Sequence, residues 1–241
     1  MTKQGIDISH WNVIENWAKI KASGIDFIII KLGGSDGGYY KDSQFDRYYI
    51  EAKAHGFLVG AYYFAGKQFT TTVNGRDDAR HALEILGDKQ LDLPLFIDVE
   101  ATSPNDKVGA TNATIAFCDS ISNAGIPTGV YASKISGFVS RLDDSKLGHL
   151  IHWVAQYNYK CDYVGDYSYW QKSDKGHIDG IKGYVDLDEF YDDVVVKTVD
   201  ELAHEVINGM WGNGDERKRR LTEAGYNYRT VQDRVNKILL G

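Results

Sequence analysis

The sequence predicts an α/β fold, an irregular (β/α)8-like barrel with some helices missing over residues 1–196, followed by a small three-helix bundle over residues 198–241. Three observations predict it. Eight short apolar runs recur along the first part of the chain, helical periodicity fills the gaps between the early ones, and charge and pattern change after Lys197.

In order, the runs are Ile6-Asp7-Ile8, Phe27 to Ile30, Leu58 to Tyr63, Leu95-Phe96-Ile97, Gly129-Val130-Tyr131, Trp153-Val154-Ala155, Tyr167 to Trp170 and Ile181 to Val185. Helical segments near Ile14 to Ala22, Gln44 to Ala54, Arg76 to Leu86 and Asn112 to Asn123 separate the early runs, an alternation that marks parallel βα units. A complete barrel of this kind takes about 250 residues, so eight strands in a shorter span leave some helices out. The stretch from Trp153 to Asp186 is too short for full helices, and its strands are expected to be joined by hairpins or loops.

Beyond Lys197, Thr198-Val199-Asp200-Glu201 reads as a capping box that opens a helix, and Gly209 is placed to close it. A second helix runs from Asp215 to Ala224 and ends at Gly225; a third runs from Thr230 to Leu240. Such a bundle is near the lower size limit for independent folding. Residues 198–241 hold seven basic and seven acidic side chains, so the net charge of −7 belongs to residues 1–197.

Chemistry in a parallel barrel gathers at the C-terminal ends of the strands. Asp98 and Glu100, at the end of the fourth run, are two residues apart on a strand and so share a face, with Cα atoms roughly 6.6 Å apart. Two carboxyls at that spacing can flank one glycosidic bond. They also fit an acidic pair that merely faces solvent. The other strand ends carry Asp7, Lys31, Tyr62, Tyr63, Tyr131, Trp153, Gln156, Tyr157, Trp170 with Gln171, and Asp186 with Asp188. Carboxylates and aromatic rings with polar tips suit a carbohydrate, which presents hydroxyl edges and apolar C–H faces.

Gly5-Ile6-Asp7-Ile8-Ser9, Phe27-Ile28-Ile29-Ile30-Lys31, Gly60-Ala61-Tyr62-Tyr63-Phe64, Phe96-Ile97-Asp98-Val99-Glu100, Gly129-Val130-Tyr131, Trp153-Val154-Ala155-Gln156-Tyr157, Trp170-Gln171 and Val185-Asp186-Leu187 resemble, in register, the motifs of glycoside hydrolase family 25, the Chalaropsis-type lysozymes. The resemblance implies cleavage of the β-1,4 bond between N-acetylmuramic acid and N-acetylglucosamine in bacterial peptidoglycan, without metal or organic cofactor. It implies that Glu100 is the general acid, Asp98 its partner carboxylate, and Asp7 and Asp186 two further acids of the site. Asn12 departs from the pattern, in which Gln is expected. The segment from Ile207 to Tyr226, with Trp211-Gly212-Asn213-Gly214 at its core, is similar to the short cell-wall-binding repeats of phage endolysins, and Trp211, Arg217 and Arg220 are its candidate wall contacts. Trp211, Leu221 and Tyr226 read equally as bundle core, and the two arginines as a solvated helix face.

A general acid must hold its proton near neutral pH, and like charges from four acids converging on one pocket, together with partial burial, are expected to raise the Glu100 pKa. Asp98 is expected to stay ionised and to serve either as covalent nucleophile or as orienter of the substrate's own 2-acetamido group; the second route is favoured. Both imply net retention. Two alternatives stay open: a hydrolase holding a hard divalent cation between Asp7, Asp98, Glu100 and Asp186, and a catalytically silent glycan-binding protein.

No run approaches the ~20 apolar residues of a membrane span, and the first residues lack the apolar stretch of a signal peptide. An enzyme for the cell wall made without its own export signal is expected in the host cytoplasm, as a phage endolysin is before lysis. Neither nucleic acid nor membrane insertion is expected; oligomerisation is open, and a single repeat implies modest affinity per chain. Cys118 and Cys161 give no disulfide framework, and both are expected as free thiols, Cys118 buried.

Overall fold

The computed structural model describes residues 2–191, 199–223, 226 and 228–240. The first part is a closed barrel of eight strands: β1 (Thr2–Ile8), β3 (Phe27–Gly34), β5 (Leu58–Phe64), β6 (Leu95–Asp98), β7 (Thr128–Ser133), β8 (Ile151–Ala155), β9 (Tyr169–Gly176) and β11 (Val185–Tyr191). Neighbours pair in parallel from β1 through β3, β5, β6, β7 and β8 to β9. Only β11 runs the other way, pairing antiparallel with both β9 and β1 to close the ring.

The short strands β2 (Val13–Ile14) and β4 (Tyr40–Lys41) lie outside the ring, and β10 (Ile181–Lys182) pairs with β2. The eighth barrel strand therefore starts where the apolar run from Ile181 was expected to end. Ile181 is consumed by the side ladder, and β11 alternates acids with apolar residues, a weaker apolar signal than a buried run.

Four helices cover the outside: α1 (Trp17–Ala22), α2 (Phe45–Ala54), α3 (Thr72–Leu86) and α4 (Lys107–Asn123). Asn16 caps α1 by accepting from the Lys19 amide at 3.0 Å, and Thr71 caps α3 by accepting from Asn74 at 3.1 Å. Gly75 lets α3 approach α4: a Cβ there would stand 2.2 Å from the Ala113 carbonyl. Between β7 and β8 the chain makes only a wide helical turn, Lys134–Val139, and a short 3-10 turn, Asp144–Lys146, and between β8 and β9 no helix, so the missing helices fall in the second half of the barrel.

The pleat sorts side chains between two cores. Ile28, Ile30, Val59, Ala61, Tyr63, Ile97 and Val130 face the helices. Phe27, Ile29, Phe96, Tyr131, Trp153 and Tyr169 fill the interior. Trp153 is its plug, with ring centroids 4.6 Å from Tyr131 and 5.2 Å from Phe96, and truncating such a residue costs about 3–5 kcal/mol.

The tail forms α5 (Val199–Ile207), α6 (Gly214–Glu223) and α7 (Tyr228–Leu240) around Leu202, Ala203, Val206, Leu221, Val231 and Val235. Gly209, at φ +79°, turns the chain just past α5 in the left-handed region that glycine adopts without strain. The expected cap at Thr198, the stop at Gly225 and the boundary at 197 lie outside the described residues. Both cysteines are free, with Cys118 buried and Cys161 half-buried. No described helix is long and apolar enough to cross a membrane.

Candidate active site

β6 delivers Asp98 to the barrel mouth, opposite Tyr131 of β7, and Glu100 follows two residues on. Across the mouth, Asp7 and Asp186 are direct partners in the β1–β11 ladder. Asp186 sits at the start of its strand, yet the antiparallel course of β11 brings that start to the end where the other strands finish. Asp188, one pleat deeper and fully buried, accepts from the Trp153 indole N–H at 2.9 Å. The strand-end pattern included Asp188 and Gln171 without giving either a role; their burial at the floor of the acid cluster became visible only with the ring closed.

Asp98 is 4% exposed, and its Oδ1 is buried without a hydrogen-bond partner among the described residues. Burial pushes its carboxyl well above the usual range, the Glu100 charge adds to this and Lys31 opposes it, a direction that runs against the ionised state expected of Asp98. Glu100 opens onto solvent, and the surrounding protein still withdraws enough water to raise its carboxyl, against the pull of Lys31 and Arg141. Like charges and partial burial were both expected to raise it; for Glu100 desolvation is the largest cause. Like charge matters deeper down: burial and then Asp188 and Asp186 raise Asp7 strongly, while Asp186 is pushed up to about 6 and Asp188 to about 8, chiefly by burial.

Lys31 is buried and fixed over the rings of Phe64, Tyr40 and Tyr62, at 4.6, 5.7 and 5.8 Å. Its charge reaches both Asp98 and Glu100, which makes it the local counter-ion of the pair. From Glu100 a groove of about 520 Å³ runs past Tyr131, Gln156 and Tyr157 to Lys134 and Arg141. Arg141, which strand-end reasoning missed because it follows the wide turn after β7, is held by the Thr102 and Ser136 carbonyls at 2.7 and 2.6 Å.

Three expected ligand residues belong to the scaffold. Tyr63 points out of the barrel, bonds His81 at 2.8 Å and packs on Phe117, because it is one residue out of step with Tyr62. Trp170 is likewise out of step with Gln171; it is buried, and its indole N–H donates to the Gln156 carbonyl at 2.8 Å. Trp153 is the interior plug. Asn12 accepts from the Ser9 amide at 2.9 Å, closing a tight turn rather than reaching outward.

In the tail, Trp211 donates to Glu205 at 2.9 Å and packs edge-on against Tyr226. Arg217 bonds Gln232, Gly212 and Asn213 at 2.8, 3.1 and 3.0 Å, and so staples α6 to α7. Arg220 pairs with Glu216 one turn back on an exposed face. The groove in this part is lined instead by Lys218, Thr222, Tyr226, Tyr228, Arg229 and Gln232. Where tail and barrel meet, Leu202, Tyr226 and Val231 lie near Cys118, Thr128 and Leu150 around a cavity of about 60 Å³.

The model of glycosyl hydrolases family 25 matches residues 6–181. The chain belongs to this family. The CW_7 repeat model matches residues 200–239. The autolytic lysozyme of Clostridium acetobutylicum is 29% identical over 198 residues, covering 80% of this chain and 57% of that protein. The lysozyme of Streptococcus phage Cp-7 is 30% identical over 160 residues, covering 60% of this chain and 46% of its own length. This family 25 chain thus spans only about half the length of these two relatives. The CTP1L endolysin structure superposes with a TM-score of 0.69 at 26% identity, over 79% of this chain and 67% of the other. The LytC autolysin of Streptococcus pneumoniae gives 0.70 at 24% identity, over 79% and 47%, and shares the fold.

Proposed function

We propose that this protein is a peptidoglycan hydrolase, an N-acetylmuramidase that cuts the β-1,4 bond between N-acetylmuramic acid and N-acetylglucosamine, and that it serves as a bacteriophage endolysin. The observation that carries this reading is the Asp98–Glu100 pair at the mouth of a family 25 barrel, both carboxyls raised and both within reach of the Lys31 charge. Relatives named lysozyme support the reaction, and likeness to a phage lysozyme and an endolysin supports the setting.

Glu100, open to the cleft and raised, protonates the leaving oxygen. Asp98 stabilises the positive charge that develops at the anomeric carbon. A buried carboxyl with a free oxygen suits it to accept the N–H of the substrate's 2-acetamido group, whose carbonyl oxygen then attacks; direct attack by Asp98 is the other route. At the end of the groove Lys134 is paired with Asp162, so Arg141 is the cation that fits a muramic acid substituent carrying a carboxylate. Mass spectrometry of soluble fragments from digested walls tests the bond cut: new reducing muramic acid ends support the reading, and new reducing glucosamine ends exclude it. Full activity after exhaustive EDTA treatment is expected; metal-dependent loss would favour a cation between the acids.

Both routes use two displacements, so the first product is expected to keep the β configuration. Proton NMR on freshly cut oligosaccharide reads this directly. An initial α anomer would make Asp98 a general base acting on water.

The repeat over 200–239 is proposed to hold the enzyme on the wall through the groove lined by Lys218, Tyr228, Arg229 and Gln232. Removing residues 198–241 is expected to leave turnover of short soluble glycans nearly intact and to lower lysis of intact walls at least about tenfold, because tethering raises local concentration. Equal activity of the two forms on intact walls would remove the targeting role. A large drop in melting temperature would show instead that the repeat completes the barrel through the contact near Leu150 and Tyr226.

A further inference from the structure

Gln171 is buried at the centre of the acid cluster and is fully committed on both sides of its amide. Its Oε1 accepts from the Tyr131 and Tyr157 hydroxyls at 2.9 and 3.1 Å, and its Nε2 donates to Asp7 Oδ2 at 2.7 Å. Each phenol has one proton to give, and both give it to the same oxygen. The observed contacts orient the amide: turned over, it would need both phenols to become acceptors and Asp7 to become the donor. Asp7 must then present an unprotonated oxygen to β9. Its remaining edge faces β11, where the Asp188 and Asp186 carboxyls act on it, and Asp188 Oδ2 is buried with no hydrogen-bond partner among the described residues.

We propose that Gln171 is a positioning residue that holds Asp7 as a hydrogen-bond acceptor and confines the proton shared by the buried acids to the β11 side of Asp7. One amide, clamped by two tyrosines, thus decides where the charge of the floor lies beneath Asp98 and Glu100. The groups facing Asp7 are Asp186 and Asp188 from β11, Tyr62 from β5, Tyr131 from β7, Tyr157 beyond β8 and Gln171 from β9. Burial and nearby acids keep all three phenols protonated, so none competes for the proton. The importance of this arrangement for turnover rests on the muramidase reading; the proton placement itself does not.

The test therefore reads the proton directly. Full-length protein labelled with ¹³C at aspartate carboxyls is titrated by NMR, with the Asp7 signal assigned by its loss in Asp7→Asn. Gln171→Leu removes the donor and is expected to move the Asp7 titration up by about one pH unit. Gln171→Glu, which keeps the size, should move it the same way and covers a Leu variant that fails to fold. Asp188→Asn supplies an amide donor in place of the shared proton, and the Asp7 titration should move down by a similar amount. On peptidoglycan, the acid limb of the kcat/KM profile should follow in each case, with KM within about threefold. An Asp7 signal unmoved in the Gln171 variants, or moved downward, would overturn the proposal whatever the activity. A moved signal with an unmoved activity profile would keep the proton placement and remove its part in catalysis.

Discussion

Glu100→Gln is expected to lower muramidase turnover by about 10²- to 10⁴-fold with the fold intact, the range typical when a general acid is removed. The substitution keeps the shape and removes only the ionisable proton. Glu100 opens onto solvent, and no hydrogen bond to a described residue ties its side chain to the barrel, so its amide should cost little stability. The loss should appear in kcat, with KM little changed, because the proton is given up in the transition state. The desolvation that raises Glu100 also predicts the wild-type profile: activity should fall on the alkaline side as pH passes the raised Glu100 value. In Glu100→Gln that limb should be absent from the residual activity. Near wild-type digestion of purified walls by this variant would remove Glu100 from the reaction and return the silent wall-binding reading.

Asp98→Asn is expected to cost about 10²- to 10³-fold in turnover, the scale seen when one preorganised electrostatic contact to a developing charge is lost. It should also stabilise the protein in a pH-dependent way. Asp98 is buried, and its carboxyl lies well above the unfolded value, so the folded state binds its proton more tightly than the unfolded chain does. The stability tied to that proton is fully present below the unfolded pKa of about 3.9 and is lost as pH rises through the raised folded value. An amide carries no such penalty. The melting temperature of Asp98→Asn relative to wild type should therefore rise from acid to neutral pH. Thermal scans across that range check it: a variant that is destabilised at pH 8 would mean that the Asp98 charge is held by a partner the fold does not otherwise reveal.

At Asp98 activity and stability pull in opposite directions, so the chemistry of the site is held at some cost to stability. Mutating the scaffold should look different. Trp153 and Tyr63 were plausible sugar platforms from their strand-end positions, but one plugs the barrel and the other packs under α3. Their loss should act through folding, not through KM.

What the sequence determined by itself was whatever depends on short range. Apolar runs marked seven of the eight barrel strands, helical periodicity marked the first four helices, and the end of the fourth run marked Asp98 as the last residue of β6 with Glu100 two residues beyond it, because strand and helix periods are local properties of the backbone. Tertiary structure decided what depends on closure of the ring. The reversed course of β11 brings Asp186 to the mouth and sinks Asp188 beneath Asp7, a juxtaposition between residues roughly 180 positions apart in the chain that no local period encodes. It also decided inward against outward for adjacent aromatics such as Tyr62 and Tyr63, gave Gln171 its clamp, and turned Trp211 and Arg217 into struts of the tail. The reason is physical: the pKa of a carboxyl and the role of a ring depend on which side faces water, and water is excluded only once distant segments have met.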